Sequence, residues 1–367
     1  MDEIKKIKIA FVLPFMNAGG AEKIICTLLN SLSRESFEPV LVLLKKKGKL
    51  LGCLPKDIEV FELGMDSLRN SVLPLIKMLK KLKPDMVFSS IGSLNLLIAS
   101  IRKFFPKEIK FVARETNIVS MKNKDEKYPR LFDLMFKTVY KNFDLVICQS
   151  NDMFNDLKNN YGIDENRMYL INNPVDIEMI QKRSQSEKKL FDKSRYNLLS
   201  VGSLTYKKGF DLLIEALCLT KDKDIHLTIL GEGKERKALE KKAKDMGVEN
   251  QITFKGFIQN PYPFMAQADL FVLSSRYEGF ANVLLEANAC KCPLLAFKCK
   301  GGINEIILEG INGWSVKAFD TKALAKKIKE IKNIRLDKDE IRKSVERRYA
   351  LKKIIEKYEK VLKDIYA

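Results

Sequence analysis

The feature that most constrains this chain is an alternation of short apolar runs with helix-period stretches, broken only once before residue 300. Lys8–Pro14 (KIAFVLP) is an apolar run ending at a turn, and a helical pattern follows over Ala21–Leu32. Further strands are expected over Pro39–Leu44, Ile58–Leu63, Asp85–Ser90, Ile109–Ala113, Asp144–Ser150 and Met168–Asn172. Helical patterns over Val72–Leu82, Asn95–Phe105, Tyr128–Lys141 and Asp152–Tyr161 fall between them. Strands alternating with helices at this spacing predict a parallel sheet with helices on both faces.

The pattern breaks at Asn172–Asp192, where Asn-Asn-Pro opens a polar, charged run, and restarts at Asn197–Val201. It continues through Phe210–Cys218, Ile225–Leu230, Arg236–Met246, Ile252–Gly256, Asp269–Leu273, Asn282–Ala289, Pro293–Ala296 and Gly302–Glu309. Two α/β domains are therefore expected, residues 1–172 and 193–349, joined by a linker over 173–192. Ser344–Ala367 has the spacing of one long amphipathic helix. Open parallel sheets bind ligands beyond the carboxyl ends of their strands, so two such domains facing each other would enclose a deep two-substrate cleft.

Bulk properties narrow the classes. No apolar run is long enough to span a membrane, and the charged Met1–Lys8 has no signal-peptide pattern, so a cytoplasmic protein is expected. Seven cysteines, widely spaced and odd in number, read as free thiols. Cys290, Cys292 and Cys299 do not have zinc-knuckle spacing, and the single histidine, His226, is distant in sequence, so no metal site is expected. The net charge of +19 is shared by both halves. It fits anionic partners such as phosphorylated small molecules, acidic lipid or nucleic acid, and it equally fits a general lysine-rich composition.

Three clusters carry chemistry. Gly19-Gly20-Ala21-Glu22 follows the first strand and opens a helix, where glycine admits a close ligand and the helix start attracts negative charge. Gly202-Ser203-Leu204-Thr205-Tyr206-Lys207-Lys208-Gly209 places two lysines beyond a strand end, suited to a diphosphate. Ser274–Ala287 carries Glu278 and Glu286 across a loop-to-helix junction. Gly279 and Phe280 sit at that junction with amides expected to face an anion, and Glu286 lies one turn beyond Asn282. Two carboxylates so placed suit the hydroxyls of a sugar and a ribose. Ordinary surface lysines and glutamates at a helix start are the alternative for the last two clusters.

In this order and spacing the clusters resemble the GT4 family of glycosyltransferases, whose pattern is a Gly-Gly-Ala-Glu loop, a Gly-Arg-Leu…Lys-Gly segment and an E-x7-E motif. Leu230-Gly231-Glu232-Gly233, Phe254-Lys255-Gly256 and Gly310-Ile311-Asn312-Gly313 are also similar to the family, and the likeness covers nearly the whole chain. The resemblance implies the GT-B fold: two Rossmann-like domains facing across a deep cleft, acceptor on the first, nucleotide sugar on the second. It also implies that the last helix, 350–367, crosses back to the first domain. Lys208 would then hold the donor diphosphate, Glu278 the transferred sugar and Glu286 the ribose hydroxyls. Gly20 would let the phosphates approach, the Gly279 and Phe280 amides would face phosphate, and Phe280-Ala281-Asn282 would touch the sugar. Two departures stand out. Ser203 replaces the family's arginine, leaving Lys207 or another base to supply its charge. Arg114-Glu115-Thr116-Asn117 stands where many members have a histidine, so Arg114, Glu115 or Asn117 would make that sugar contact.

The implied reaction is a metal-independent transfer with retention, by same-face substitution, in which the leaving diphosphate takes the acceptor hydroxyl's proton. Uridine diphosphate is the expected carrier, and no cofactor is expected. The basic runs Lys45–Lys49 and Lys77–Lys83 with the apolar Leu68–Leu75 suggest an acidic membrane surface and a lipid-linked oligosaccharide, lipopolysaccharide or capsule acceptor at the inner face of the plasma membrane. The alternatives are a basic nucleic-acid- or membrane-binding protein and an inactive GT-B scaffold. No stacking motif, zinc finger or helix-turn-helix accompanies the charge, so no nucleic-acid partner is expected.

Overall fold

In the computed structural model, which describes residues 5–17 and 19–367, the chain divides into two compact units. One holds residues up to Pro174 together with Lys352–Ala367, and the other holds Val175–Leu351. The charged start Met1–Lys8 is described only from Lys5 onward.

The first unit runs β1 Ile7–Leu13, α1 Gly20–Ser31, β2 Phe37–Leu43, β3 Val60–Glu62, α2 Val72–Leu82, β4 Met86–Ser90, α3 Gly92–Ile101 and β5 Lys110–Arg114. It continues with α4 Val119–Lys122, α5 Pro129–Val139, β6 Leu145–Cys148, α6 Asn151–Tyr161 and β7 Met168–Leu170. Its seven strands lie parallel in the order β3-β2-β1-β4-β5-β6-β7. The strands are nearly all apolar because helices cover both faces, so neither face needs polar residues. The order reverses between β1 and β4, which leaves an opening beyond their carboxyl ends.

The second unit runs α7 Ile177–Ser184, β8 Tyr196–Val201, α8 Phe210–Thr220, β9 Ile225–Leu230, α9 Arg236–Asp245, β10 Ile252–Gly256, α10 Tyr262–Gln267 and β11 Leu270–Leu273. Then come α11 Asn282–Ala289, β12 Leu294–Phe297, α12 Ile303–Ile306, β13 Gly313–Val316, α13 Thr321–Ile331 and α14 Lys338–Tyr349. Its six parallel strands have the order β10-β9-β8-β11-β12-β13, the doubly wound arrangement, with the reversal between β8 and β11.

The stretch 173–192 is not an irregular linker throughout. Asn173 is buried within the first unit. Helix α7 starts at Asp176, whose carboxylate accepts from the Met179 amide at 2.9 Å. Ile177 and Ile180 of that helix enter the second unit's core. Only two core positions in a polar octapeptide make too faint a helical period to read beforehand.

The expected single helix over Ser344–Ala367 is instead two, α14 and α15 Leu351–Tyr366. Ala350 is extended and forms an isolated parallel bridge with Val175. The Val175 amide donates to the Tyr349 carbonyl at 2.8 Å, and the Leu351 amide to the Val175 carbonyl at 3.1 Å. Bonds to another segment replace intrahelical ones there, which ends the first helix without proline or glycine. Beyond this break α15 belongs to the first unit, as the crossing-back expectation requires. It buries Ile354, Ile355, Tyr358, Val361 and Leu362, each worth on the order of 1.5–3 kcal/mol of transfer free energy. The Ser33 amide donates to Glu359 Oε1 at 2.7 Å, tying it to the end of α1.

Candidate active site

In the second unit the loops after β8 and β11 meet at the point where strand order reverses, and both lysines and Glu278 sit on them. The two loops are fastened together. The Arg276 amide donates to the Lys207 carbonyl at 2.8 Å, and its guanidinium makes a bidentate pair with Asp211 at 2.8 and 2.7 Å. The same guanidinium lies 3.8 Å from the centre of the Tyr206 ring. Gly209 turns the first loop into α8 at φ +62°, and a Cβ there would sit 2.1 Å from the Ser274 carbonyl oxygen. Only glycine permits both that φ and that approach.

Glu278 is the centre of this arrangement, with 5 % of its surface exposed. The Lys208 ammonium donates to its Oε1 at 2.6 Å, the Ser275 hydroxyl donates to the same oxygen at 2.6 Å, and Lys207 Nζ stands 3.9 Å from Oε2. Burial by itself pushes a carboxyl pKa up. Here the charges of Lys208 and Lys207, with the two hydrogen bonds, outweigh burial and hold Glu278 below the usual carboxylate range. The stem of Lys208 passes over Gly202, where an added Cβ would lie 3.3 Å from its Cε. The backbone beneath is held by the Glu278 amide donating to the Lys300 carbonyl at 2.9 Å, and by Gly301, where a Cβ would meet the Glu278 carbonyl oxygen at 2.2 Å.

Beyond Glu278 the chain enters α11. The Phe280 ring is not offered to a ligand. It is buried and packs edge-on against Tyr349 at 5.9 Å between centroids. Gly279 and Ala281 are buried as well, while Asn282 and Glu286 are half-buried on the helix. Among the described residues no hydrogen bond within the chain engages the amides of Gly279 and Phe280. Ser203 is exposed, so nothing at that position supplies a cation.

In the first unit Arg114 and Glu115 are engaged by the chain itself. Arg114 ends β5 with 1 % of its surface exposed, and all its nitrogens are used inside the unit. Nε donates to the Tyr358 hydroxyl at 3.1 Å, one terminal nitrogen to Ser90 Oγ at 3.1 Å and the other to Asn173 Oδ1 at 2.5 Å. Glu115, equally buried, accepts from the Thr116 and Asn117 amides at 2.8 and 3.2 Å and from the Tyr140 hydroxyl at 2.6 Å. Burial raises its pKa, and those hydrogen bonds offset the rise only in part. Both side chains are buried and hydrogen-bonded within the first unit. Arg114's partners Tyr358 and Asn173 come from segments whose placement no local pattern reveals. Gly20, by contrast, is exposed at the head of α1.

Two family models divide the chain between them: "Glycosyltransferase Family 4" over residues 18–179 and "Glycosyl transferases group 1" over residues 181–349. The chain carries the two domains of a family 4 glycosyltransferase. A Campylobacter jejuni protein named N-acetylgalactosamine-N,N'-diacetylbacillosaminyl-diphospho-undecaprenol 4-alpha-N-acetylgalactosaminyltransferase is 28 % identical over 92 % of both chains. The glycosyltransferase of Rickettsia africae superposes with a TM-score of 0.81 at 21 % identity, covering 98 % of each chain. HepE of Anabaena in complex with UDP superposes with a TM-score of 0.80 at 20 % identity, over 98 % of this chain and all of that one. The GT-B architecture is thus that of this glycosyltransferase. In it, Arg276 is spent on fastening loops, which leaves Lys207 and Lys208 as the ammonium groups beside Glu278.

Among the described residues no helix is long and apolar enough to cross a membrane. Of the apolar stretch 68–75, Leu73 is exposed but Leu75 is fully buried. A stronger surface feature lies on and just before α5, where Tyr128, Leu131 and Leu134 are exposed alongside Lys127, Arg130 and Lys137.

Proposed function

We propose that this glycosyltransferase moves a hexose or N-acetylhexosamine from a nucleotide sugar, of the uridine diphosphate class, to a lipid-linked oligosaccharide or a lipopolysaccharide or capsule precursor. The observation that carries the proposal is Glu278 held charged between Lys208 and Lys207 beside the amides of Gly279 and Phe280. Two ammonium groups and two uncommitted amides suit a leaving diphosphate, whose charge grows as its bond to the sugar breaks. A buried carboxylate beside them suits the hydroxyls of the transferred sugar. Glu286, half-buried on α11, would accept from the ribose hydroxyls.

The reaction proposed is transfer with retention. The bond between the anomeric carbon and the diphosphate oxygen breaks, and its electron pair leaves with the diphosphate. The acceptor hydroxyl oxygen bonds to the same face of that carbon, and its proton passes to the leaving diphosphate. Charge compensation comes from lysines and amides, with no metal required. The alpha product named for the Campylobacter relative supports retention if the carrier is an α-linked nucleotide sugar, and its diphospho-undecaprenol acceptor supports a lipid-linked acceptor. The exposed apolar and basic side chains around α5 support contact with an acidic lipid surface. The test is transfer from a panel of uridine-diphosphate sugars to a polyprenyl-diphosphate-linked glycan in EDTA, with the product anomer read by NMR. Activity that needs an added divalent ion, or an inverted product, would contradict the proposal.

A further inference from the structure

The second sheet ends at an edge strand, β13, paired with β12. Past the carboxyl ends of both strands the Lys298 amide still donates to the Val316 carbonyl at 2.7 Å, so Lys298 and Lys317 leave the edge side by side. Both are exposed. Two residues beyond Lys317, Phe319 turns the chain toward α13 at φ +66° with 53 % of its surface exposed. The turn is closed by the Asp320 amide donating to the Lys317 carbonyl and the Thr321 amide donating to the Phe319 carbonyl, both at 3.2 Å. Lys322, also exposed, follows in the first turn of α13, where the helix dipole disfavours a cation.

Phe319 is the exceptional residue of this rim. A bulky side chain in the left-handed region is strained, and the same residue leaves most of an apolar ring in water. Burial does not compensate. The ring rests on the fully buried Phe297, with 6.4 Å between centroids, and that contact holds it in place with more than half of its surface free. The charge around it is not neutralised either. Among the described residues no ion pair engages Lys298, Lys317 or Lys322, and the acids of the rim are used elsewhere. Asp320 caps α13 by accepting from the Ala323 amide at 2.8 Å, and Glu215 accepts from the Thr321 hydroxyl at 2.7 Å and pairs with Lys242.

We propose that this rim of the second unit docks on an acidic lipid surface, with the Phe319 ring entering the headgroup boundary and Lys298, Lys317 and Lys322 facing the lipid phosphates; this rests on the lipid-linked acceptor proposed above. An apolar ring flanked by unpaired lysines is the pairing that suits an anionic bilayer, where apolar burial and charge attraction add. A single-stranded nucleic acid fits less well, because it is held by successive aromatic rings along a basic groove and this rim offers one ring. The contact is separate from that of α5, which belongs to the other unit.

The test is sedimentation of the full chain with vesicles of phosphatidylcholine containing phosphatidylglycerol, and of phosphatidylcholine alone, at about 0.15 M salt. Wild type is compared with Phe319→Gly, with the triple variant Lys298→Gln, Lys317→Gln and Lys322→Gln, and with Leu131→Ser and Leu134→Ser together on α5. Phe319→Gly is expected to fold, because glycine takes this φ without strain. The expected result is binding to the acidic vesicles that falls about fivefold in Phe319→Gly and about tenfold or more in the triple lysine variant. Binding unchanged in both, or lost only in the α5 variant, would overturn the proposal. So would a wild type that ignores acidic vesicles or binds neutral ones equally well. Retention on a single-stranded oligonucleotide that the triple variant loses, with vesicle binding kept, would overturn it in favour of a nucleic-acid partner. Transfer to a water-soluble acceptor glycoside is measured on the same samples. Its absence in wild type would count against the glycosyltransferase reading, while the vesicle results still decide the rim.

Discussion

Lys208 and Glu278, seventy positions apart in sequence, share a 2.6 Å hydrogen bond at the point where the second sheet reverses its strand order. With Lys207 at 3.9 Å, the buried carboxylate stays ionised. Such preorganised charge is worth most where charge develops in a transition state. Glu278→Gln keeps the shape and removes the charge. It is expected to lower kcat by about 10²–10³ in a protein that still folds. A kcat within about threefold of wild type would remove Glu278 from the chemistry.

The two lysines are expected to differ. Lys208 makes the short bond, and its stem is packed over Gly202; Lys207 is more distant and lies 4.8 Å from the centre of the Tyr277 ring. Lys208→Ala should cost about 10²-fold or more in kcat/KM and Lys207→Ala about tenfold. Steady-state kinetics on both variants, with free uridine diphosphate as a competitive probe, checks the order. A larger loss at Lys207 would reverse the assignment.

Arg114 is expected to matter for stability and not for catalysis. Its guanidinium joins β4, β5, Asn173 and α15 through buried bonds. Arg114→Ala should lower unfolding free energy by about 2–4 kcal/mol, and Tyr358→Phe by about 1–2 kcal/mol. Chemical denaturation measures both losses. A folded Arg114→Ala protein with intact stability and lost activity would return Arg114 to the active site.

Glu278 and Glu115 should give opposite pH trends in stability. The folded-state pKa of Glu278 is depressed, so its contribution is present above the ordinary value of 4.5 and fades as pH falls through the lower folded value. For Glu115 the folded-state pKa is raised, so wild type loses stability as pH climbs from 4.5 through the higher folded value. The gap between wild type and Glu278→Gln should therefore narrow on acidification. Glu115→Gln should gain on wild type as pH rises. Denaturation midpoints across pH 3 to 8, roughly the window over which carboxyl shifts act, read both slopes.

Much of this was legible in the chain. Periodicity placed most strands and the reversal-point loops, because parallel strands buried on both faces leave unbroken apolar runs such as Ile7–Leu13 and Leu270–Leu273. The Lys208–Glu278 contact was accessible only as two clusters suited to one ligand. Their distance comes from the adjacency of β8 and β11, which the order of strands along the chain does not state. The burial of Arg114 and Glu115 was not legible, for a physical reason. A polar group at a strand end reads as a ligand contact, but partners from Asn173 and α15 turned Arg114 inward, and Tyr140 with two loop amides did the same for Glu115. Glu22 was visible as part of a motif. Its burial, with the carboxylate folded back over Gly19, is a fact of packing alone.

The most direct test of the central claim is calorimetric binding of a panel of nucleotide sugars to wild type and Glu278→Ala. One nucleotide sugar bound selectively by wild type, and at least about tenfold more weakly by the variant, is the predicted result. No binding to either protein, or equal binding to both, would contradict the assignment of the Lys207, Lys208 and Glu278 cluster as the donor site.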